Sequence, residues 1–260
     1  MHNSTAVLPL LLLTSCAQLA QPVSRVNLLS VEQEQQLTVE FAREVESKQR
    51  VVSDPVIAGY VSELGQRLAA TIRDPQFRYT FRVIVDPSVN AFNIGGGYVY
   101  VHTGLLEAAD TEGQVASVLS HEMGHQVRRH VAKAISREQL FQTVIGVALG
   151  NAAPWVQLAA GLGITTGQLY FGREAEREAD HVMVDLMPRA GYDPREALAM
   201  FAKLRALEGS NPGRVAQIFS SHPPTDERIE NVRADIAAHP LPAELVRDSP
   251  RFHQVKQRLG

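Results

Sequence analysis

The chain has 260 residues, 45% of them hydrophobic and 20% charged, which fits one globular domain with or without a short tail. Its formal net charge of −3 and its lack of a basic stripe exclude the signature of a nucleic-acid-binding protein, so we expect no nucleic-acid partner. The single cysteine, Cys16, excludes an internal disulfide and a metal site built from several thiolates.

The N-terminus predicts export and lipidation. Residues 6–13 form an apolar run of signal-peptide length, too short to span a bilayer as a helix. The run leads to Cys16 directly after a small residue, which resembles the bacterial lipobox. A secretory signal with an incidental cysteine is the alternative. The run departs from signal peptides in one respect, because no Lys or Arg precedes it. We expect a lipoprotein signal peptide over 1–15, a lipid on Cys16 and a tether over 16–29.

Helices and then strands are predicted after the tether. Helix-start signals and apolar spacing predict helices over about 30–50 and 54–72, which pack as scaffold. Alternating apolar residues predict a strand over 77–85, and a second strand pair follows over 90–104, joined through three glycines.

The glycine-rich turn has two interpretations of equal weight. It is a simple hairpin turn, or it marks close approach by the backbone of a peptide substrate along the sheet edge. In the second interpretation the residues that contact substrate are Asn90, Phe92, Gly96 and Gly97.

The segment from His121 to His125 has the form H-E-x-x-H and follows a capping-box sequence that begins at Thr111. Two histidines at i and i+4 lie on one helix face, so both imidazoles can bind one zinc ion. Glu122 follows the first histidine and is placed to act as a base on a water molecule. The sequence therefore predicts a catalytic zinc site on this helix.

We predict that this helix runs unbroken from about Thr111 to Gln139. In such a helix His130 points away from His121 and His125, so we interpret it as a solvated histidine. The longer three-histidine motif is absent, and a third ligand must come from elsewhere.

Residues 139–172 contain no charged side chain. They form either a buried helical hairpin or a mobile, membrane-touching cover over the active site.

The next helix is charged at its start and apolar after Asp180, so its middle enters the core. Glu176 and Asp180 share a face at i and i+4: one can bind the metal and the other can orient a ligand imidazole. Glu174 and Glu178 form a competing pair, and spacing alone does not separate the two.

Four blocks of the sequence together resemble the gluzincin-type zinc metallopeptidase family of the CAAX prenyl endopeptidase and the β-barrel-assembly-enhancing protease, in its small bacterial lipoprotein branch. The blocks are residues 90–92 with the glycine-rich strand, residues 111–125, residues 176–180, and residues 221–224 with Arg228.

The resemblance implies a mostly helical α+β fold, zincin-like, with a small antiparallel sheet beside the H-E-x-x-H helix. It implies a peptidase domain over 30–239 and a tail over 240–260. It also implies one zinc ion bound by His121, His125 and Glu176, with Glu122 as the base and Asp180 as an orienting group.

Two further residues gain roles from the resemblance. His222, held before two prolines, lies near the metal, either as a transient fourth ligand or as a donor to the transition-state oxyanion. Arg228 anchors the loop of His222 or pairs with an acidic group near the site.

The function implied is that of a zinc-dependent endopeptidase of the bacterial envelope that cleaves unfolded or misassembled envelope proteins. Its partners are polypeptide substrates, a membrane reached through the lipid, and the envelope assembly machinery. The expected location is the periplasm, at the outer membrane, since Ala17 stands where an aspartate would resemble an inner-membrane retention signal. The alternative is a chaperone-like assembly factor with little or self-inhibited proteolysis.

Overall fold

The computed structural model describes residues 26–149 and 155–259, where helices surround one three-stranded sheet. The strands are β1 (Thr80–Ile84), β2 (Ala91–Asn93) and β3 (Tyr98–His102). The helices are α1 (Val31–Lys48), α2 (Pro55–Ala69), α3 (Thr103–Ala108), α4 (Glu112–Val127), α5 (His130–Leu149), α6 (Trp155–Gly161), α7 (Arg173–Arg189), α8 (Arg195–Ser210), α9 (Pro212–Ser221), α10 (Asp226–Ala238) and α11 (Pro250–Leu259). This is the predicted mostly helical α+β fold. The predicted signal peptide, Cys16 and most of the tether lie outside the described residues.

Side chains at the helix starts fix where three helices begin. The Ser30 hydroxyl accepts a hydrogen bond from the Gln33 amide, and the Gln33 side chain accepts one from the Ser30 amide. This reciprocal pair is a capping box. Asp54 caps α2 and Thr111 caps α4, each by accepting a hydrogen bond from backbone amides of the first turn.

The sheet corrects one prediction, because it is mixed and not antiparallel. Its order is β1-β3-β2, with β3 parallel to β1 and antiparallel to β2. After β1 the chain crosses to the opposite edge of the sheet, where it forms β2. The hairpin between β2 and β3 then brings β3 back into the centre, between β1 and β2. Residue alternation predicts strands but not their partners.

Each face of the sheet is covered by its own hydrophobic core. Val99 and Val101 of β3 face a core shared with α2, α4, α7, α8 and α11. Tyr100, between them, faces a core shared with α1, the start of α5 and α6, and its ring stacks on Phe92 of β2. The sheet is therefore buried on both sides, with α4 beside β2 and β3.

The predicted unbroken helix over Thr111–Gln139 is wrong, because the chain breaks between α4 and α5. Arg129 adopts a φ of 53°, in the left-handed region that a helix cannot continue through. Its guanidinium donates a hydrogen bond of 2.8 Å to the Glu34 carboxylate and another of 2.8 Å to the Leu29 carbonyl oxygen. These contacts with the N-terminal segment hold the break and give α5 its own direction.

The structure also describes most of the predicted tail and part of the uncharged run. Residues 250–259, predicted as tail, form α11, whose Phe252 and Val255 are fully buried, so they belong to the fold. In the uncharged run, Leu158 and Ile164 are buried, and residues 150–154 lie outside the description. The described helices include no segment long and apolar enough to cross a membrane.

Candidate metal centre

Three elements bring the predicted site residues together. Helix α4 carries His121 and His125, α7 carries Glu176, and His222 follows α9 directly. One ligand atom from each of these residues lies within 4.8 Å of the others. All four side chains are buried.

Gly124 is the reason that α4 and α7 approach so closely. A Cβ atom placed on it would lie 2.6 Å from the Ala179 carbonyl oxygen and 2.8 Å from the Ala179 Cα atom. Both distances are shorter than real Cβ contacts, so this crossing accepts only glycine. The crossing sets the distance between the histidines of α4 and the carboxylates of α7.

The donor atoms fit one tetrahedral metal ion. The Nε2 atoms of His121 and His125 are 3.1 Å apart, and they lie 3.4 Å and 3.3 Å from the Glu176 carboxylate oxygens. Ligands about 2.05 Å from a tetrahedral zinc ion are separated by about 3.3 Å. Two imidazoles and one carboxylate are a donor set of catalytic zinc sites. The residues present therefore fit the group that the sequence predicts.

The charge of the site also suits a cation. The carboxylates of Glu122, Glu176 and Asp180 are each at most 2% exposed, and Arg228 is the cation that packs among them. Buried charges require compensation. Three carboxyl groups outnumber the one guanidinium here, which suits a bound cation.

Arg228 contacts both the acidic groups of α7 and the loop that carries His222. Its guanidinium donates two hydrogen bonds of 2.8 Å to the Asp180 carboxylate and lies 2.7 Å from Glu176. It also donates to the His222 and Pro223 carbonyl oxygens, at 3.1 Å and 3.2 Å. The residue thus ties the His222 loop to α7.

Asp180 lies behind His121. Its Oδ1 atom is 2.8 Å from His121 Nδ1, which leaves Nε2 facing the other donor atoms. Burial opposes ionisation of Asp180, but Arg228 and His121 outweigh it and keep the pKa of Asp180 below its usual value. Burial alone would lower the pKa of His121, yet Asp180 and Glu176 raise it to about 9.

Glu122 has two polar neighbours. Asn93, at the end of β2, donates a hydrogen bond of 2.8 Å to Glu122 Oε2. The other carboxylate oxygen lies 3.6 Å from His222 Nε2. His222 Nδ1 is 2.8 Å from Glu176 Oε1 and 3.3 Å from His121 Nε2. The His222 ring thus lies between the predicted base and the predicted ligands.

His130 corrects the sequence analysis, because it is buried against the site. Its Nδ1 atom is 2.9 Å from His125 Nδ1, and its Nε2 atom is 3.1 Å from Glu178 Oε2. Burial lowers the pKa of His130 to about 4, although Glu178 opposes the shift. The Phe171 ring stacks on a face of the His125 ring, with 4.0 Å between the ring centroids. The break at Arg129 turns His130 toward the site.

The residues predicted to contact substrate lie in the core. Asn90 is fully buried, and the Phe92 ring is 3% exposed. The amide of Gly96 donates to Glu34, and the amide of Gly97 donates to Gln126. Those two amides are therefore occupied within the chain, as expected of a hairpin turn held by its neighbours.

A sequence profile of Peptidase family M48 matches residues 55–236, which include every predicted metal ligand and Glu122, together with His222 and Arg228. The chain belongs to this family. The match also covers the whole sheet and the α4–α7 crossing.

Three curated relatives show how far the similarity extends. Beta-barrel assembly-enhancing protease of Escherichia coli (strain K12) is 29% identical over 240 residues, 88% of this chain and 49% of that protein. Mitochondrial metalloendopeptidase OMA1 of Schizosaccharomyces pombe is 33% identical over 173 residues, 66% of this chain and 51% of that protein. Metalloprotease LoiP of Escherichia coli (strain K12) is 29% identical over 242 residues, 87% of this chain and 88% of that protein. The chain spans about half the length of the first of these relatives.

Proposed function

We propose that the chain is a zinc-dependent endopeptidase of the bacterial envelope that cleaves unfolded or misassembled envelope proteins. The observation that carries the proposal is the set of His121, His125 and Glu176, whose donor atoms lie 3.1–3.4 Å apart, with a buried carboxylate, Glu122, beside it. Membership of Peptidase family M48 and the names of the relatives support the same chemistry.

Each residue of the site has a task in peptide hydrolysis. A zinc ion held by His121, His125 and Glu176 would supply a Lewis acid that polarises the scissile carbonyl and makes water more acidic. Glu122 accepts a proton from the attacking water and passes it to the leaving amine. Asn93 holds Glu122 Oε2, so Oε1 is the oxygen that exchanges the proton.

An apolar cavity supports a preference for an apolar residue next to the scissile bond. The cavity opens beside His121 and Glu122. Its apolar lining is Met183, Met200, Phe201, Leu204 and Ile218. Cleavage-site profiling of a peptide library should give apolar residues at one flanking position, and Leu204→Trp should shift the preference to smaller residues. A profile without any apolar preference would contradict this assignment.

Glu122→Gln tests the catalytic proposal, because glutamine keeps the size of the side chain and cannot accept the proton. We expect unchanged zinc content, measured by elemental analysis of the full chain, and a loss of casein hydrolysis of about 10²- to 10⁴-fold. Full hydrolysis by Glu122→Gln would refute the assigned base.

A chaperone-like role with self-inhibited proteolysis is the second candidate, favoured by the position of His222 among the ligand atoms. If His222 blocks the site, His222→Ala raises casein hydrolysis; if it stabilises the oxyanion, the same variant lowers it. Zinc binding without hydrolysis in the parent chain and in His222→Ala would favour the chaperone-like role.

The envelope location rests on the predicted lipobox and on the name of the E. coli relative, which concerns β-barrel assembly. We propose that lipid on Cys16 anchors the domain to the outer membrane. Metabolic labelling with a fatty-acid analogue should mark the chain, and Cys16→Ala should abolish both the label and sedimentation with membranes. Labelling of Cys16→Ala equal to the parent would refute the anchor.

A further inference from the structure

A histidine and a carboxylate lie in series behind His125. The first step joins His125 Nδ1 to His130 Nδ1 over 2.9 Å, and the second joins His130 Nε2 to Glu178 Oε2 over 3.1 Å. His125 is fully buried and His130 is 5% exposed, so neither ring relies on bulk water for its hydrogen bonds. The series ends at a half-exposed carboxylate on α7.

The direction of each hydrogen bond in this series follows from donor and acceptor chemistry. The Glu178 carboxylate only accepts, so His130 carries its proton on Nε2. In this tautomer Nδ1 of His130 accepts, so His125 carries its proton on Nδ1. The Nε2 lone pair of His125 is left free, and it points at the donor cluster with His121 and Glu176.

The two ligand histidines are thus supported from the same helix in different ways. Asp180 of α7 contacts His121 directly, at 2.8 Å. Glu178, two residues earlier on α7, reaches His125 through the ring of His130. The chain break at Arg129 is what allows His130 to fill the gap.

We propose that His130 and Glu178 are positioning residues that hold His125 in the orientation and the Nδ1-protonated tautomer that a metal ligand needs. The proposal rests on the zinc site proposed above. The proposal gives a function to Glu178, whose spacing from Glu174 matches that of Asp180 from Glu176. It also gives one to His130, which the sequence analysis interpreted as a solvated histidine.

Zinc affinity of the full chain, measured by competition with a chromophoric chelator, tests the proposal. His130→Phe keeps a ring of similar size without an acceptor, and we expect affinity to fall about 10- to 100-fold. His130→Gln presents an acceptor to His125 and a donor to Glu178, so it should recover most of the affinity. Glu178→Ala should weaken binding, whereas Glu174→Ala, one turn earlier on the exposed face of α7, should leave it unchanged.

A merely structural role would produce a different pattern. The metal-free His130→Phe and Glu178→Ala proteins should melt within about 4 °C of the parent, because the buried volume is kept in one and a half-exposed side chain is removed in the other. The double variant should bind zinc no more weakly than His130→Phe alone, since Glu178 acts through His130. Additive losses, or losses that follow the melting temperature, would overturn the proposal.

The unmodified protein provides a test that does not depend on any variant folding. In the zinc-loaded chain, long-range ¹H–¹⁵N spectra of the imidazole rings should show His125 protonated on Nδ1 and His130 protonated on Nε2. The opposite tautomer of either ring would overturn the proposal. Zinc affinity within about twofold of the parent in both His130→Phe and Glu178→Ala would also overturn it. Failure of the parent chain to bind zinc would instead overturn the metal site itself, and this proposal with it.

Discussion

Gly124→Ala is the substitution that most directly tests the helix crossing behind the metal centre. In an unhindered helix, alanine in place of glycine stabilises by about 0.5–1 kcal/mol. Here the new Cβ atom would meet Ala179 backbone atoms at 2.6 Å and 2.8 Å, whereas ordinary contacts begin at 3.4 Å. Because both opposing atoms are backbone, α4 and α7 have to separate by roughly 1 Å, and overpacking of this kind costs about 1–3 kcal/mol.

We therefore expect Gly124→Ala to lower the free energy of unfolding of the metal-free protein by about 2 kcal/mol in urea titrations. This value is the upper cost of overpacking, about 3 kcal/mol, less the gain in helix propensity, about 1 kcal/mol. Zinc affinity should fall by at least about 10-fold, because the histidines move away from Glu176. Gly59→Ala in α2 is the matched control: its Cβ meets no atom within 4 Å, so it should stabilise by about 0.5–1 kcal/mol. A Gly124→Ala protein with the stability and zinc affinity of the parent would refute the role of this crossing.

Two other changes probe the buried charges. Arg228→Ala leaves the carboxylates of Asp180 and Glu176 without their guanidinium, and the metal-free protein should lose about 3–5 kcal/mol in urea unfolding; a loss under about 1 kcal/mol would contradict this. His102 tests pH dependence, since burial lowers its pKa and the weaker attraction of Asp86 does not restore it. As the pH falls, His102 is protonated at a higher pH in the unfolded chain than in the folded protein. The stability that a neutral His102 contributes is therefore complete above about pH 6.5 and decreases as the pH drops below that value. Between about pH 7.5 and 5.5 the parent should lose more stability than His102→Gln, and equal losses would contradict the assignment.

Local spacing was sufficient to predict that His121 and His125 lie side by side on one helix, with Glu122 next to them. His121 and His125 share a helix face in any α-helix that contains them, and the capping residue Thr111 places that helix. Glu176 was harder, because Glu174 with Glu178 repeats the same spacing. The two pairs, Glu176 with Asp180 and Glu174 with Glu178, differ in whether they lie on the face of α7 that packs on α4. The contact of Gly124 with Ala179 determines which face that is.

The errors come from interactions between residues far apart in sequence. The break at Arg129 is held by Glu34, 95 residues away, so no local signal marks it, and His130 was placed in solvent for that reason. The parallel pairing of β1 with β3 likewise depends on the route of the chain and not on residue alternation. The role of Asn93 beside Glu122 follows from the position of β2 against α4, which spacing does not provide.

The metal centre is tested most directly by anomalous scattering at the zinc edge from crystals of the zinc-loaded chain. We expect one strong peak per chain, about 2.0–2.2 Å from His121 Nε2, His125 Nε2 and a Glu176 carboxylate oxygen. A peak at any other group of residues, or no zinc peak at these three donors, would contradict the proposed site and the catalytic role of Glu122 that depends on it.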